Sequence, residues 1–155
     1  MKSRAASRPA VERGFTLLEL LLTIAIGVAI FSLTVPTMIR FYRSQIVDDT
    51  AKNMVDSLRR AHQYSIAQVD GQSYGVKLLP LSNSYVLFQG SSYALRNTVE
   101  DEIESYPSIV TIDATSTEVV FSRLHGTSTV SGTWTLSGGL TRSIIISPQG
   151  TIDLQ

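Results

Sequence analysis

The chain contains no cysteine, so a disulfide framework is excluded. It also carries no net charge, because its 13 lysines and arginines are balanced by 13 aspartates and glutamates. Nucleic-acid backbones are bound through a basic face, so this balance disfavours binding of a polyanion across the whole surface. A length of 155 residues allows one domain with appendages.

The common motifs of hydrolases and metal sites are absent as well. The two histidines, His62 and His125, belong to no H-E-x-x-H motif and have no partner at metal-ligand spacing. There is no G-x-S-x-G motif. Residues 100–104 are acidic, but we interpret them as an exposed loop rather than a cation site, and we interpret Trp134 as a packing residue. We therefore predict that the protein is not an enzyme and has no cofactor and no metal site.

What the chain does have is a long uncharged segment near its N-terminus. No charged residue occurs from Leu20 to Ile39, and twenty residues in a helix span about 30 Å, the thickness of a bilayer core. One carboxylate, Glu19, stands at the head of this segment. In a membrane it costs about 1–3 kcal/mol, so we expect that it has a function.

The flanks of this segment predict its orientation. Residues 1–14 hold four basic residues and one acid, whereas Arg40 and Arg43 on the other side are offset by two aspartates. The positive-inside rule then predicts a single-pass protein of the cytoplasmic (inner) membrane with a cytoplasmic N-terminus and an extracytoplasmic C-terminal domain. A cleaved secretory signal is disfavoured, because its apolar core has only about 7–15 residues.

The residues around the acid resemble a known processing site. Gly14-Phe15-Thr16-Leu17-Leu18-Glu19, after a basic leader, is similar to the leader junction of type IV prepilins and type II secretion pseudopilins. The resemblance implies that a prepilin peptidase cleaves after Gly14 and N-methylates Phe15, and that Glu19 is the family's assembly acid. The new amine at Phe15 could then pair with Glu19 of a neighbouring subunit, because leaving either charge unpaired in low dielectric costs several kcal/mol. Interaction of Glu19 with its own helix N-terminus is the alternative, worth about 0.3–1 kcal/mol.

The helical pattern continues beyond the uncharged segment. An apolar stripe recurs at spacings of three and four residues, at Val47, Ala51, Met54, Leu58 and Ala61. The opposite side carries charges at i,i+4 spacing, at Asp48, Lys52, Asp56 and Arg60. We predict one helix from about Phe15 to about Val69, ended by Asp70-Gly71 and bent at Gly27 and Pro36.

After Gly71 the apolar period changes to two, which predicts strands. Tyr74, Val76 and Leu78 form one alternating run, and a second run follows the turn at Ser82-Asn83; Gly90–Pro107 is a polar interval. The predicted strands after the first are, in order, Tyr85–Gln89, Ile109–Asp113, Glu118–Leu124, Thr133–Ser137, Arg142–Ser147 and Thr151–Leu154, with a tight turn at Gly138-Gly139. The predicted fold class is α+β, pilin-like, with a long bent N-terminal helix packed on an antiparallel β-sheet domain.

These patterns divide the chain into four parts. They are a basic prepilin leader (residues 1–14), a transmembrane and assembly helix (15–39), its amphipathic continuation (40–70) and an antiparallel β globular domain (71–155). The C-terminal third, with Val119-Val120-Phe121, Gly126, Thr133–Leu136, Ile144–Ser147 and Gly150, is similar to minor pseudopilins of the GspH/FimT type.

The resemblance implies a minor pilin or pseudopilin of a type II secretion pseudopilus or a type IV pilus-like filament, serving protein secretion or pilus biogenesis. The implied partners are the prepilin peptidase, other pilins or pseudopilins, an inner-membrane assembly platform and the lipid bilayer. Three alternatives stay open. They are a minor pilin that captures DNA through Arg123 and Arg142, a plain signal-anchored extracytoplasmic domain, and an exported enzyme with an uncleaved anchor.

Overall fold

The structure is a computed structural model that describes residues 14–155, apart from the side chains of residues 33–36. Residues 1–13 of the predicted leader and the side chain of Pro36 therefore lie outside the described residues. The chain divides into two compact units, one that ends at Met38 and one that comprises Ile39–Gln155.

A single helix, α1, runs over Leu17–Ile66 and confirms the predicted long helix. It ends before the predicted Asp70-Gly71 stop, because Gln68 already adopts a left-handed backbone conformation with φ 53°. Asp70 and Gly71 instead belong to a short 3-10 turn over Val69–Gly71, in which Asp70 also has a positive φ of 50°. The helix thus ends at a left-handed residue that is not glycine, whereas the sequence-based prediction assumed a glycine at this position.

Eight strands follow α1, and every pairing between them is antiparallel. The strands are β1 (Tyr74–Leu79), β2 (Ser84–Gln89), β3 (Asn97–Ser105), β4 (Thr111–Ala114), β5 (Glu118–Phe121), β6 (Gly132–Ser137), β7 (Thr141–Ile146) and β8 (Ile152–Leu154). They form two four-stranded sheets, ordered β3-β2-β1-β5 and β4-β6-β7-β8. The α+β class is therefore confirmed, but the strands form two sheets where the sequence predicted one.

One hydrophobic core joins α1 to both sheets. The predicted stripe is confirmed, since Val47, Ala51, Met54, Leu58 and Ala61 are all 0% exposed. The core side chains of the first sheet include Val76 and Leu87, and those of the second include Leu136 and Ile144. Because the two sheets bury their apolar faces against the same part of α1, that part of the helix is the centre of the globular unit.

Strand β3 corrects the prediction that residues 100–104 are an exposed loop. Glu102 is the register partner of Leu87 and Glu104 that of Tyr85, and both glutamates form ion pairs with Arg60 of α1, at 2.9 and 3.0 Å. Ile103, between them, is 68% exposed. Around Ile103 an exposed apolar residue thus stands between two acidic residues that pair with α1, the reverse of the usual pattern on which a strand prediction depends.

Three other local predictions fit the structure, whereas the predicted strand Glu118–Leu124 already ends at Phe121. Asn83 adopts a left-handed conformation, φ 48°, at the end of the turn between β1 and β2, and Gly138-Gly139 lies in the hairpin that pairs Ser137 with Thr141. Trp134 is fully buried, as predicted, and its indole N–H donates a 2.7 Å hydrogen bond to the carbonyl of Ser116. A buried indole therefore has the partner that its polar nitrogen requires.

Candidate processing and assembly site

Helix α1 begins at Leu17 because Thr16 caps it. The backbone N–H of Glu19 donates to Thr16 Oγ1 at 3.2 Å, and the N–H of Leu20 donates to the Thr16 carbonyl at 3.1 Å. This is the geometry of an N-cap residue, and Thr-x-x-Glu is the sequence of a capping box. The helix therefore starts two residues after the predicted Phe15.

The cap leaves the predicted cleavage site outside the helix. Gly14 and Phe15 have no regular secondary structure and are exposed, Phe15 by 79%. Exposed chain outside regular structure is the preferred kind of site for a protease. The backbone around the Gly14–Phe15 bond thus has the accessibility that a peptidase requires.

Glu19 lies in the first turn of α1 and is exposed. Within residues 14–155 its side chain has no ion pair. A carboxylate in the first turn interacts favourably with the helix dipole, by about 0.3–1 kcal/mol. This position is compatible with the alternative interpretation, in which Glu19 interacts with its own helix N-terminus. The structure therefore places Gly14, Phe15 and Glu19 within one turn of the start of the helix. The bend of α1 at Gly27 and Pro36 stays a prediction.

The first part of α1 exposes its apolar side chains, including Leu21 at 61% and Ile24 at 56%. Its most apolar 18-residue window has a mean hydropathy of 2.3, and none of that window is buried. Across the described residues, α1 is the one helix long and apolar enough to cross a membrane. An exposed apolar surface of this extent requires lipid or another protein around it.

Three of the four acidic residues of β3 form ion pairs. Glu102 and Glu104 share Arg60, and Asp101 is bound by Arg96 at 2.8 Å. In the described part of the chain, no group of three or more His, Asp or Glu side chains is placed to hold a metal ion. These carboxylates therefore attach β3 to its neighbours.

The two histidines occupy different environments. His62 packs edge-to-face against Phe121, with 5.2 Å between ring centroids, whereas His125 is exposed. Gly126 and Gly150 approach His62 so closely that a Cβ at either would lie 2.6 or 2.8 Å from its Nε2, and both have positive φ angles. The sequence did not indicate this contact; glycine recurring in two separate loops is the only signal of it.

The arginines considered for DNA contact both bind within the molecule. Arg142 of β7 donates to Asp48 Oδ1 of α1 from Nε and Nη2, at 2.8 Å each. Arg123 donates from Nη1 to the carbonyl of Gly71 at 2.8 Å. Arg142 therefore joins β7 to α1, and Arg123 joins its loop to the 3-10 turn that follows the helix.

The fold is pilin-like. Its long N-terminal helix is apolar and exposed in its first part and is buried against antiparallel sheets in its second part. No protein-family model and no curated protein matches the chain. Among solved structures, the chain is similar to the minor pseudopilin EpsH from the type 2 secretion system of Vibrio cholerae. The TM-score is 0.55 at 13% sequence identity, and the match covers 70% of this chain and 95% of that one. This chain therefore has the fold of that minor pseudopilin.

Proposed function

We propose that the chain is a minor pilin-like subunit, a structural protein rather than an enzyme. A prepilin peptidase cleaves it after Gly14 and methylates Phe15, and an inner-membrane platform then assembles it with other pilins or pseudopilins. The product is a type II secretion pseudopilus or a type IV pilus-like filament. One observation carries this proposal: the Thr16 cap exposes the Gly14–Phe15 bond immediately before an apolar helix with Glu19 in its first turn.

Cleavage changes the electrostatics of the helix start. Hydrolysis of the Gly14–Phe15 bond gives a carboxylate on Gly14 and an amine on Phe15, which is protonated at neutral pH. A cation at a helix N-terminus is disfavoured by the helix dipole, so the new amine favours a nearby carboxylate. Glu19 of an adjacent subunit supplies one when the apolar helices pack side by side.

The packing explains how an assembled state can replace the membrane-inserted one. Neighbouring helices offer the apolar side chains of α1 contacts similar to those with lipid tails. Dispersion and polar pairing therefore decide the free-energy difference between the assembled and the membrane-inserted state. A pair between Glu19 and the Phe15 amine fixes one register, because every other register leaves both charges unpaired at a cost of several kcal/mol. Glu19 thus acts in assembly and has no part in processing.

Substitution of Glu19 tests these roles separately. We expect Glu19→Ala to be cleaved and methylated normally and to fail in assembly into a sedimentable filament. Ser32→Ala is the matched control, because it removes another exposed polar group of the same helix, whose hydroxyl donates to the carbonyl of Ala29. Intact-mass analysis of the membrane form measures processing, as loss of residues 1–14 and gain of one methyl group. A mature protein that still begins at Met1, or normal assembly of Glu19→Ala, would contradict the proposal.

A further inference from the structure

Strand β3 forms a free edge of the first sheet. It pairs with β2 alone, so within residues 14–155 its outward backbone groups pair with no other strand. The opposite edge, β5, is partly covered, because Phe121 bridges Ser128 and the N–H of Thr129 donates to the carbonyl of Val120. The edges of the second sheet, β4 and β8, have only four and three residues, whereas β3 has nine. Short or covered edges resist pairing with another chain, so β3 is the edge that can accept one.

Large apolar side chains are exposed along this edge. Leu95, just before β3, and Val99 and Ile103 within it are 76%, 85% and 68% exposed. A single exposed apolar residue needs no explanation, but these three lie within nine consecutive positions. Ile103 is the register partner of Val86, which is buried in a small apolar cluster with Phe88. An apolar side chain placed beside Ile103 would therefore extend that cluster.

The same edge carries a surplus of negative charge. Arg60 pairs with both Glu102 and Glu104, so one guanidinium serves two carboxylates, and their side chains stay 46% and 39% exposed. Glu100 is exposed and, among the described residues, forms no ion pair. Carboxylates along β3 thus remain accessible to a partner that carries basic groups.

The charge decides which partners fit. Charged residues and bulges commonly protect an edge from wrong pairing, and β3 has both, since its register with β2 shifts between Asn97 and Glu102. A second copy of β3 would bring acidic residues opposite one another, which is destabilising. Nucleic acid and an anionic membrane surface are repelled as well. Protection does not explain the exposed Val99 and Ile103, whereas a partner strand with apolar and basic residues accounts for both features.

We propose that β3 pairs along its free edge with an extended segment of a different protein subunit, in which apolar and basic residues alternate. Main-chain hydrogen bonds supply the affinity of such an added strand, and its alternate side chains supply the specificity. Because successive side chains point to opposite faces, its apolar residues cover Ile103 while its basic residues face Glu102 and Glu104. The proposal rests on the assembly with other subunits proposed above, and it gives the surface and the chemistry of one contact with an unlike neighbour.

A synthetic peptide tests the edge directly. The peptide is as long as β3, alternates valine and lysine, is capped at both ends and carries a fluorophore, so that anisotropy measures its binding to the full-length chain in nonionic micelles. We expect saturable binding that is about tenfold weaker when glutamate replaces lysine. Binding should weaken by about as much when N-methyl groups stand on three consecutive central residues, because these remove main-chain donors from both edges of the peptide and keep its side chains.

Variants of the chain locate the contact on β3. Glu100→Lys and Ile103→Thr should each weaken binding of the lysine peptide by about fivefold. Asp113→Lys is the matched control for the charge change, because Asp113 is exposed, forms no ion pair among the described residues and lies on β4, an edge of the other sheet. It should bind the peptide like the unchanged protein. Fluorescence of the buried Trp134 verifies that each variant is folded.

The outcomes separate this contact from the proposed function. Equal binding of the three peptides, or equal losses in Glu100→Lys and Asp113→Lys, would overturn the proposal, because binding would then be independent of strand pairing or of β3. Peptide binding does not require cleavage after Gly14. Correctly processed protein that fails to bind the lysine peptide therefore contradicts only the β3 contact, whereas unprocessed protein that binds it contradicts only the proposed function.

Discussion

Asp48 is the residue that ties α1 most directly to the second sheet. Its carboxylate lies 2.6 Å from the ammonium of Lys52, one helical turn away, and 2.8 Å from the guanidinium of Arg142 on β7. The hydrogen bond from Lys52, followed by that from Arg142, holds the pKa of Asp48 below its usual value, against the opposing effect of partial burial. The ionised form is therefore the one that the folded state prefers.

This preference predicts an acid-dependent effect of Asp48→Asn. A carboxyl with a depressed pKa in the folded state stabilises that state above its unfolded pKa, about 3.9, and loses this contribution as the pH falls through the folded value. We expect Asp48→Asn to lower the thermal unfolding midpoint at pH 7 and to converge with the unchanged protein as the pH falls below about 3.9 and through the lowered pKa of the folded state. Calorimetry in detergent micelles across this pH range measures the effect. The unfolding midpoint of Asp56→Asn should follow that of the unchanged protein at every pH. A constant difference at every pH would contradict the assignment.

At the scale of elements, α1 combines two kinds of helix in one sequence. Leu58 is 0% exposed in the core of the globular unit, whereas Leu21, on the same helix, is 61% exposed. Truncation of a buried leucine leaves a cavity and costs about 2–5 kcal/mol, but truncation of an exposed one leaves none. The same substitution should therefore destabilise the globular unit at Leu58 and leave its stability unchanged at Leu21.

We expect Leu58→Ala to lower the free energy of unfolding of the globular unit by about 2–5 kcal/mol. Leu21→Ala should leave it unchanged within about 0.5 kcal/mol. Denaturant titration of the full chain in micelles, followed through the fluorescence of the buried Trp134, measures both variants. Equal destabilisation by the two substitutions would show that the two parts of α1 do not differ as the structure indicates.

The sequence predicts those elements whose signal is local. The stripe of α1 and the strands β1 and β2 are visible in consecutive residues, and these elements are confirmed. All six residues of β2 are buried, however, so its two faces do not alternate between core and solvent. Strand β3 was missed because its acidic residues pair with Arg60, more than forty residues earlier. The split into two sheets likewise depends on pairings between distant strands.

The candidate site divides in the same way. Gly14, Phe15 and Glu19 stand in one short motif, so the sequence names them, and the structure adds the Thr16 cap that ends the helix before the bond to be cleaved. A cavity beside α1 had no sequence signal, because the residues that line it are distant in the chain: Ile46, Asp49, Thr50, Asn53, Tyr85, Ser105, Tyr106 and Pro107. Only the packing of β2 and the chain after β3 against α1 brings these residues together.

At the scale of the whole molecule, the distribution of charge predicts an orientation in the membrane. Residues 1–14 hold four bases against one acid, whereas Arg142 and Lys52 beyond the apolar segment are held by Asp48. Bases near the end of a span favour the cytoplasmic side. We therefore expect residues 1–14 to stay on the cytoplasmic side and the globular unit to be exported.

The absence of cysteine makes this orientation directly measurable. Ser91, exposed between β2 and β3, and Ser7, within the basic leader, each become the only thiol of the chain when replaced by cysteine. We expect a membrane-impermeant maleimide to label Ser91→Cys in intact spheroplasts, and to label Ser7→Cys only after lysis and only in the unprocessed precursor. The reason is that basic residues next to a membrane span oppose translocation across the membrane. The leader, with its four basic residues, therefore stays on the cytoplasmic side. Labelling of Ser7→Cys before lysis would contradict the predicted topology. It would also place the Gly14–Phe15 bond and its peptidase on the opposite side of the membrane.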